Sequence, residues 1–195
     1  MLNACATELT DRLLRRFPMA QARKAVYIYG FELTLSSLAV MLSVFILSCL
    51  FGAVNTSFTF SLIFVSIRLF SGGYHAKTYG RCFILSNAIY MGCFGAAHLI
   101  QLLKVGFLGP FLTLLSMTVI CVLAPIKHKN HPMSDTSYQK NRNISLTLTI
   151  CEGLCLLMAC FFFFMPYIVY MGSTTMAAVA VLMVIPKIQE RRKDV

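Results

Sequence analysis

Apolar runs close to the roughly 20 residues that cross a bilayer occupy most of this chain: Phe31 to Gly52, Phe83 to Leu103, Val105 to Pro125, Ile144 to Pro166 and Tyr167 to Pro186. A shorter run, Asn55 to Leu69, precedes a polar cluster. With 58% hydrophobic and 12% charged residues, the chain is too apolar for a water-soluble domain of 195 residues. The pattern predicts an all-α polytopic membrane protein, a single domain over 1–195 with about six transmembrane helices. The run Asn55 to Leu69 is the weak link, since its length also suits a tilted or re-entrant segment.

Charge decides how the runs are threaded. If all six cross and the basic amino-terminal segment is cytoplasmic, Arg12, Arg15, Arg16, Arg23 and Lys24 precede the first span. Arg68, Lys77 and Arg81 then fall between the second and third, Lys127, Lys129, Lys140 and Arg142 in the next loop on that side, and Lys187, Arg191, Arg192 and Lys193 in the tail. Of 17 Lys and Arg residues only Lys104 lies outside, the asymmetry that the positive-inside rule expects. Losing the second span would destroy this sorting. Both termini and the polar cluster are therefore expected at the cytoplasmic face of the membrane. The net charge of +10 is spread over short loops beside apolar spans, where anionic headgroups of the lipid bilayer explain it. No nucleic-acid partner is expected.

Residues 1–24 read as an amphipathic cytoplasmic segment. Leu2, Cys5, Leu9, Leu13 and Phe17 share one helical face, so the segment reads as an interfacial helix stopping near Pro18. Tyr27 and Tyr29 suit headgroup depth at the start of the first span. In the third span, Gly92 and Ala96 with Cys93 and Ala97 form a small-residue surface that admits a second helix closely. The stretch 126–143 is the longest polar connection and reads as a cytoplasmic loop.

The segment 68–82, RLFSGGYHAKTYGRC, carries the chemistry. Of eight cysteines, six lie inside apolar spans, where the free thiol is a small hydrophobe. A cysteine attacks only as its thiolate, a form favoured by cationic neighbours or a histidine. Cys82 follows Arg81, lies near Lys77 and has His75 seven positions upstream as a general base. Seven residues of continuous helix would separate the pair by about 10 Å, so a Cys82–His75 dyad requires the segment to fold back. Gly72 and Gly73 before His75, and Gly80 after it, allow the backbone to leave helical geometry. On spacing alone, a polar loop with an incidental histidine and cysteine remains an equal reading.

Other polar residues compete less well. His98, deep in the third span, suits a structural contact, and neither His128 with His131 nor Cys151 with Cys155 has the partners of a metal site. No metal or cofactor is expected. Glu152, the one acidic residue well inside a span, needs a companion. Arg68 is one candidate, and a water-filled cavity or the catalytic histidine are others. A different class of protein also fits, a non-catalytic transporter or peptide-binding component in which Glu152, His98 and Arg68 line a pathway.

The pattern Arg68, Gly72, Gly73, His75, Ala76 and Cys82, with Ala124, Pro125 and the following KHKNHP, resembles the accessory gene regulator B (AgrB) peptidases of Gram-positive quorum-sensing systems. The resemblance in size and hydropathy extends over nearly the whole chain. It implies a bacterial plasma-membrane cysteine endopeptidase that cleaves an AgrD-like propeptide and closes its product into a cyclic thiolactone. On this chain it implies Cys82 as nucleophile and His75 as base, with Arg68, Gly72 and Gly73 in support. Lys77, Arg81, Lys127, Lys129 and Glu152 are further candidates for holding the propeptide, the lysines and Arg81 through an acidic tail. Together with the small-residue surface, the resemblance also makes a homodimer the expected assembly.

Overall fold

A computed structural model describes residues 2–16, 24–72, 78–126, 135–162 and 166–191. The described residues form seven α-helices and no strand: α1 (Leu2–Arg16), α2 (Lys24–Leu50), α3 (Val54–Ser71), α4 (Tyr79–Leu102), α5 (Leu108–Leu123), α6 (Asp135–Phe162) and α7 (Pro166–Arg191). Five of them, α2, α3, α4, α6 and α7, are long and apolar enough to cross a membrane. The expected count of about six is met by adding α5. The short span is thus not the expected one: Asn55 to Leu69 grows into an 18-residue helix. The apolar α5 has 16 residues, about 24 Å at the helical rise.

The last helix is the axis of the bundle. It packs against α3, α4, α5 and α6, while α2 lies outside against α3 and α4 and carries α1. Lipid does not drive helices together, so close approach depends on small residues and interhelical hydrogen bonds. The stretch Met171 to Met176 is buried throughout. Its hydroxyls reach neighbouring helices: Thr174 Oγ1 donates to the Cys93 carbonyl at 3.3 Å, and Thr113 Oγ1 to Ser173 Oγ at 2.9 Å. Around it lie Phe60, Ile63, Phe64, Tyr90, Ile120 and Leu156.

Gly172 marks a tight seam, where α3 and α6 meet α7. A Cβ there would overlap Leu156 Cδ2 and stand 3.1 Å from Ile63 Cδ1. Gly172→Val is expected to lower stability by about 1–3 kcal/mol through overpacking. Gly92→Ala, with no neighbour within 4 Å of the added carbon, is expected to be near neutral. Thermal unfolding of both variants in detergent checks the pair, and equal midpoints would contradict this packing.

Two boundaries and one helical face differ from the sequence reading for identifiable reasons. The polar stretch 126–143 is helical from Asp135 onward, because no glycine or proline interrupts it after Pro132 and Asp135 sits favourably at a helix start. The final helix runs through Pro186 to Arg191; a proline inside a membrane helix is tolerated where surroundings satisfy the freed backbone. Finally, α1 turns Ala6, Thr10 and Leu14 inward, leaving Cys5 and Leu9 exposed. It lies antiparallel along α2, with Lys24 Nζ 2.7 Å from Asp11 Oδ1 and Asn3 Nδ2 donating to Glu32 Oε1 at 2.6 Å. The small Ala6 and Thr10 allow that approach, while Leu9 stays on the outer face.

Candidate active site

The ends of the helices gather the motif at one mouth of the bundle. The chain leaves α3 at Gly72, whose φ of 72° and ψ of −143° belong to backbone geometry that side chains rarely adopt. There the Ile126 N–H donates to the Ser71 carbonyl at 3.0 Å, and the Ile126 oxygen lies 3.3 Å from where a Gly72 Cβ would stand. The turn Ala124–Pro125–Ile126, with a cis Ala124–Pro125 peptide, is also held from α6, as Arg142 Nη1 donates to the Ala124 carbonyl at 3.4 Å. Two motif stretches more than fifty residues apart in sequence are therefore in direct contact.

Cys82 lies in the first turn of α4. Thr78 caps that helix, its Oγ1 accepting from the Arg81 N–H at 3.3 Å, and the Cys82 N–H bonds to the Thr78 carbonyl at 3.0 Å. The thiol is free and half-buried, and Arg81 is exposed. Gly80 is helical and so is not the flexible point expected of it. Helix α3 ends at Ser71 and α4 begins at Tyr79.

Arg68, near the end of α3, lies within electrostatic range of Cys82. Its guanidinium sits 5.4 Å from the centroid of the Phe64 ring one turn earlier, a cation–π contact that holds a charge at the edge of an apolar core. Glu152 has a different companion from the Arg68 considered for it. Ser66 Oγ donates to Glu152 Oε1 at 2.6 Å across the α3–α6 seam, and no Arg68–Glu152 ion pair occurs among the described residues.

Of the remaining candidates, His75, Gly73, Lys77, Lys127 and Lys129 lie outside the described residues. His98 is exposed, its ring edge-on to Tyr167 with centroids 6.4 Å apart. Gly92 and Ala96 form an open surface, whereas Cys93 and Ala97 beside them are buried in the bundle. Glu32 and Tyr79 did not stand out in the sequence. Tyr79 opens α4, and its hydroxyl donates to Glu32 Oε2 at 2.9 Å. A carboxylate two residues into an apolar run was the available signal.

These features define a polytopic helical membrane protein that presents a half-buried cysteine near an arginine at one end of the bundle. The family model Accessory gene regulator B matches residues 6–188, and the chain belongs to that family. Its role is accordingly in agr quorum-sensing autoinducer processing. No curated protein and no solved structure matches it.

Proposed function

We propose that the chain is a membrane-embedded cysteine endopeptidase acting on an AgrD-type propeptide, with Cys82 as nucleophile and His75 as general base. The observation that carries this reading is the placement of Cys82, half-buried in the first turn of α4 within electrostatic range of Arg68. His75 takes the thiol proton, the sulfur attacks the scissile carbonyl, and His75 returns the proton to the departing amine. A thioester to Cys82 remains. The thiol of a cysteine within the bound propeptide then attacks that thioester, forming the thiolactone and restoring Cys82. Arg68 stabilises the charge that develops at the reacting carbonyl. A site against the bilayer restrains water, which favours ring closure over hydrolysis.

In this reading the protein sits in the bacterial cell membrane with both termini and the Cys82 mouth cytoplasmic, and basic loop residues draw in an acidic propeptide tail. A second copy docks on the open surface at Gly92 and Ala96. Co-expression with the propeptide from the neighbouring reading frame tests the assignment: Cys82→Ala and His75→Ala each stop cleavage.

One observation favours a second reading, a peptide-conducting component. Ser145 Oγ, Thr149 Oγ1 and Glu152 Oε2 lie along one face of α6 as buried atoms without hydrogen-bond partners. A conductor does not depend on sulfur, so cleavage by the Cys82→Ala protein would favour it.

A further inference from the structure

We propose that Glu32 is a positioning residue for Cys82, the shared acceptor through which the amino-terminal helix α1 and the first turn of α4 are tied together. The inference rests on the reading of Cys82 as the nucleophile. Its geometric part stands independently.

Both oxygens of the Glu32 carboxylate are engaged, and by different helices. Oε1 accepts from Asn3 Nδ2 of α1 at 2.6 Å, and Oε2 accepts from the Tyr79 hydroxyl of α4 at 2.9 Å. Charge-assisted hydrogen bonds of this kind are stronger and shorter than neutral ones. A carboxylate on an otherwise apolar helix is costly unless so engaged, and a glutamate used only to hold α1 would need one of its two oxygens.

The Tyr79 end of this link bears directly on the reactive turn. Tyr79 begins α4 and Cys82 follows three residues later, with the Cys82 N–H on the Thr78 carbonyl and the Arg81 N–H on the Thr78 side chain. Rotation or fraying at Tyr79 therefore moves the sulfur. A second tie from α2 lies just beyond Cys82: Ser43 Oγ donates to Asn87 Oδ1 at 2.8 Å, while Asn87 Nδ2 donates to the Phe83 carbonyl at 2.8 Å. Cys82 is thus bracketed by two attachments to α2. The outer one, at Glu32, also receives α1. A change in the docking of α1 reaches the nucleophile through this carboxylate, and a misplacement of about 1 Å at a reacting group can cost roughly a hundredfold in rate.

The test uses the full chain in vesicles of anionic and zwitterionic phospholipid, comparing wild type with Tyr79→Phe, Glu32→Gln, Glu32→Ala and the Glu32→Ala/Tyr79→Phe double variant. Two quantities are read: kcat and KM for the propeptide of the neighbouring reading frame, and the iodoacetamide alkylation rate of Cys82, taken by mass spectrometry as the modified fraction of the Cys82-bearing fragment and compared with wild type. Tyr79→Phe deletes a single hydroxyl and keeps the fold testable. It is expected to lower kcat about tenfold with KM unchanged and to shift the alkylation rate of Cys82. Glu32→Ala and the double variant should show the same loss as each other, and Glu32→Gln, which keeps one acceptor oxygen, a smaller one. Wild-type kcat together with unchanged Cys82 alkylation in Tyr79→Phe overturns the proposal. So does a double variant whose loss is the product of the two single losses, which marks independent roles. Cleavage by Cys82→Ala would instead defeat the peptidase reading, leaving the alkylation result to judge the geometry.

Discussion

Replacing Cys82 by alanine is expected to reduce propeptide cleavage by at least about a thousandfold while leaving the protein folded in the membrane. The side chain is small and half-buried at the start of a helix that Thr78 already caps, so alanine removes the sulfur without opening a deep cavity. Serine keeps the shape but is a far weaker nucleophile without strong activation, and Cys82→Ser should be nearly as inactive. Substituting Cys151, an exposed thiol on α6 away from the motif contact, should change cleavage by less than about twofold. His75→Ala should match Cys82→Ala, and the double variant should be no worse, since residues that act as a unit lose their contribution together. Peptide release measured by mass spectrometry from membranes of matched protein content checks the series.

A comparable loss is expected from Gly72→Val, although Gly72 carries no reactive group. At φ 72° and ψ −143° a non-glycine residue stores about 1–3 kcal/mol of strain, and a β-branched side chain is among the worst tolerated at positive φ. The added carbon would also press on the Ile126 oxygen at 3.3 Å, in the turn that receives Ser71. Relief requires the chain to leave α3 in another direction. The segment after Gly72 leads to His75, the proposed base, so redirecting it is expected to part His75 from Cys82. Gly72→Val should therefore abolish cleavage more completely than it lowers the thermal midpoint, with Gly72→Ala intermediate. Retention of at least half the wild-type cleavage rate would show that this backbone turn does not set the site.

The helical, membrane-spanning class was plain from the lengths of the apolar runs, because lipid leaves the backbone little alternative and the run length is set by bilayer thickness. That the end of α3, the turn after α5 and the start of α6 lie together followed from the alternation of spans: Ser71 meets Ile126 and Arg142 meets Ala124. Boundaries were less legible. Asp135 to Asn143 is polar enough to resemble a loop, yet it carries the helix beyond the apolar stretch; Pro186 resembled a stop that the helix passes through.

The central role of α7 was not legible, since its burial depends on which helices surround it. The stretch Gly172 to Thr175 was its signal, small and hydroxylated residues inside an apolar span, but Gly92 to Ala97 showed a similar one and proves only half buried. Within the site, the local motif made Cys82 and Gly72 stand out. Long-range pairings such as Glu32 with Tyr79 and Ser66 with Glu152 depend on helix register and rotation, which apolar spans of weak periodicity do not encode.

The proposed mechanism passes through a covalent bond between Cys82 and the propeptide, and that bond can be weighed. A propeptide whose own ring-forming cysteine is replaced by alanine cannot close the ring, so the acyl group should remain on the enzyme. Mass spectrometry of the Cys82-bearing fragment is expected to show the mass of the acyl portion, removed by hydroxylamine and absent from His75→Ala. Cleavage of this propeptide at the wild-type rate under rapid quench, with Cys82 unmodified at every time point, would contradict the account.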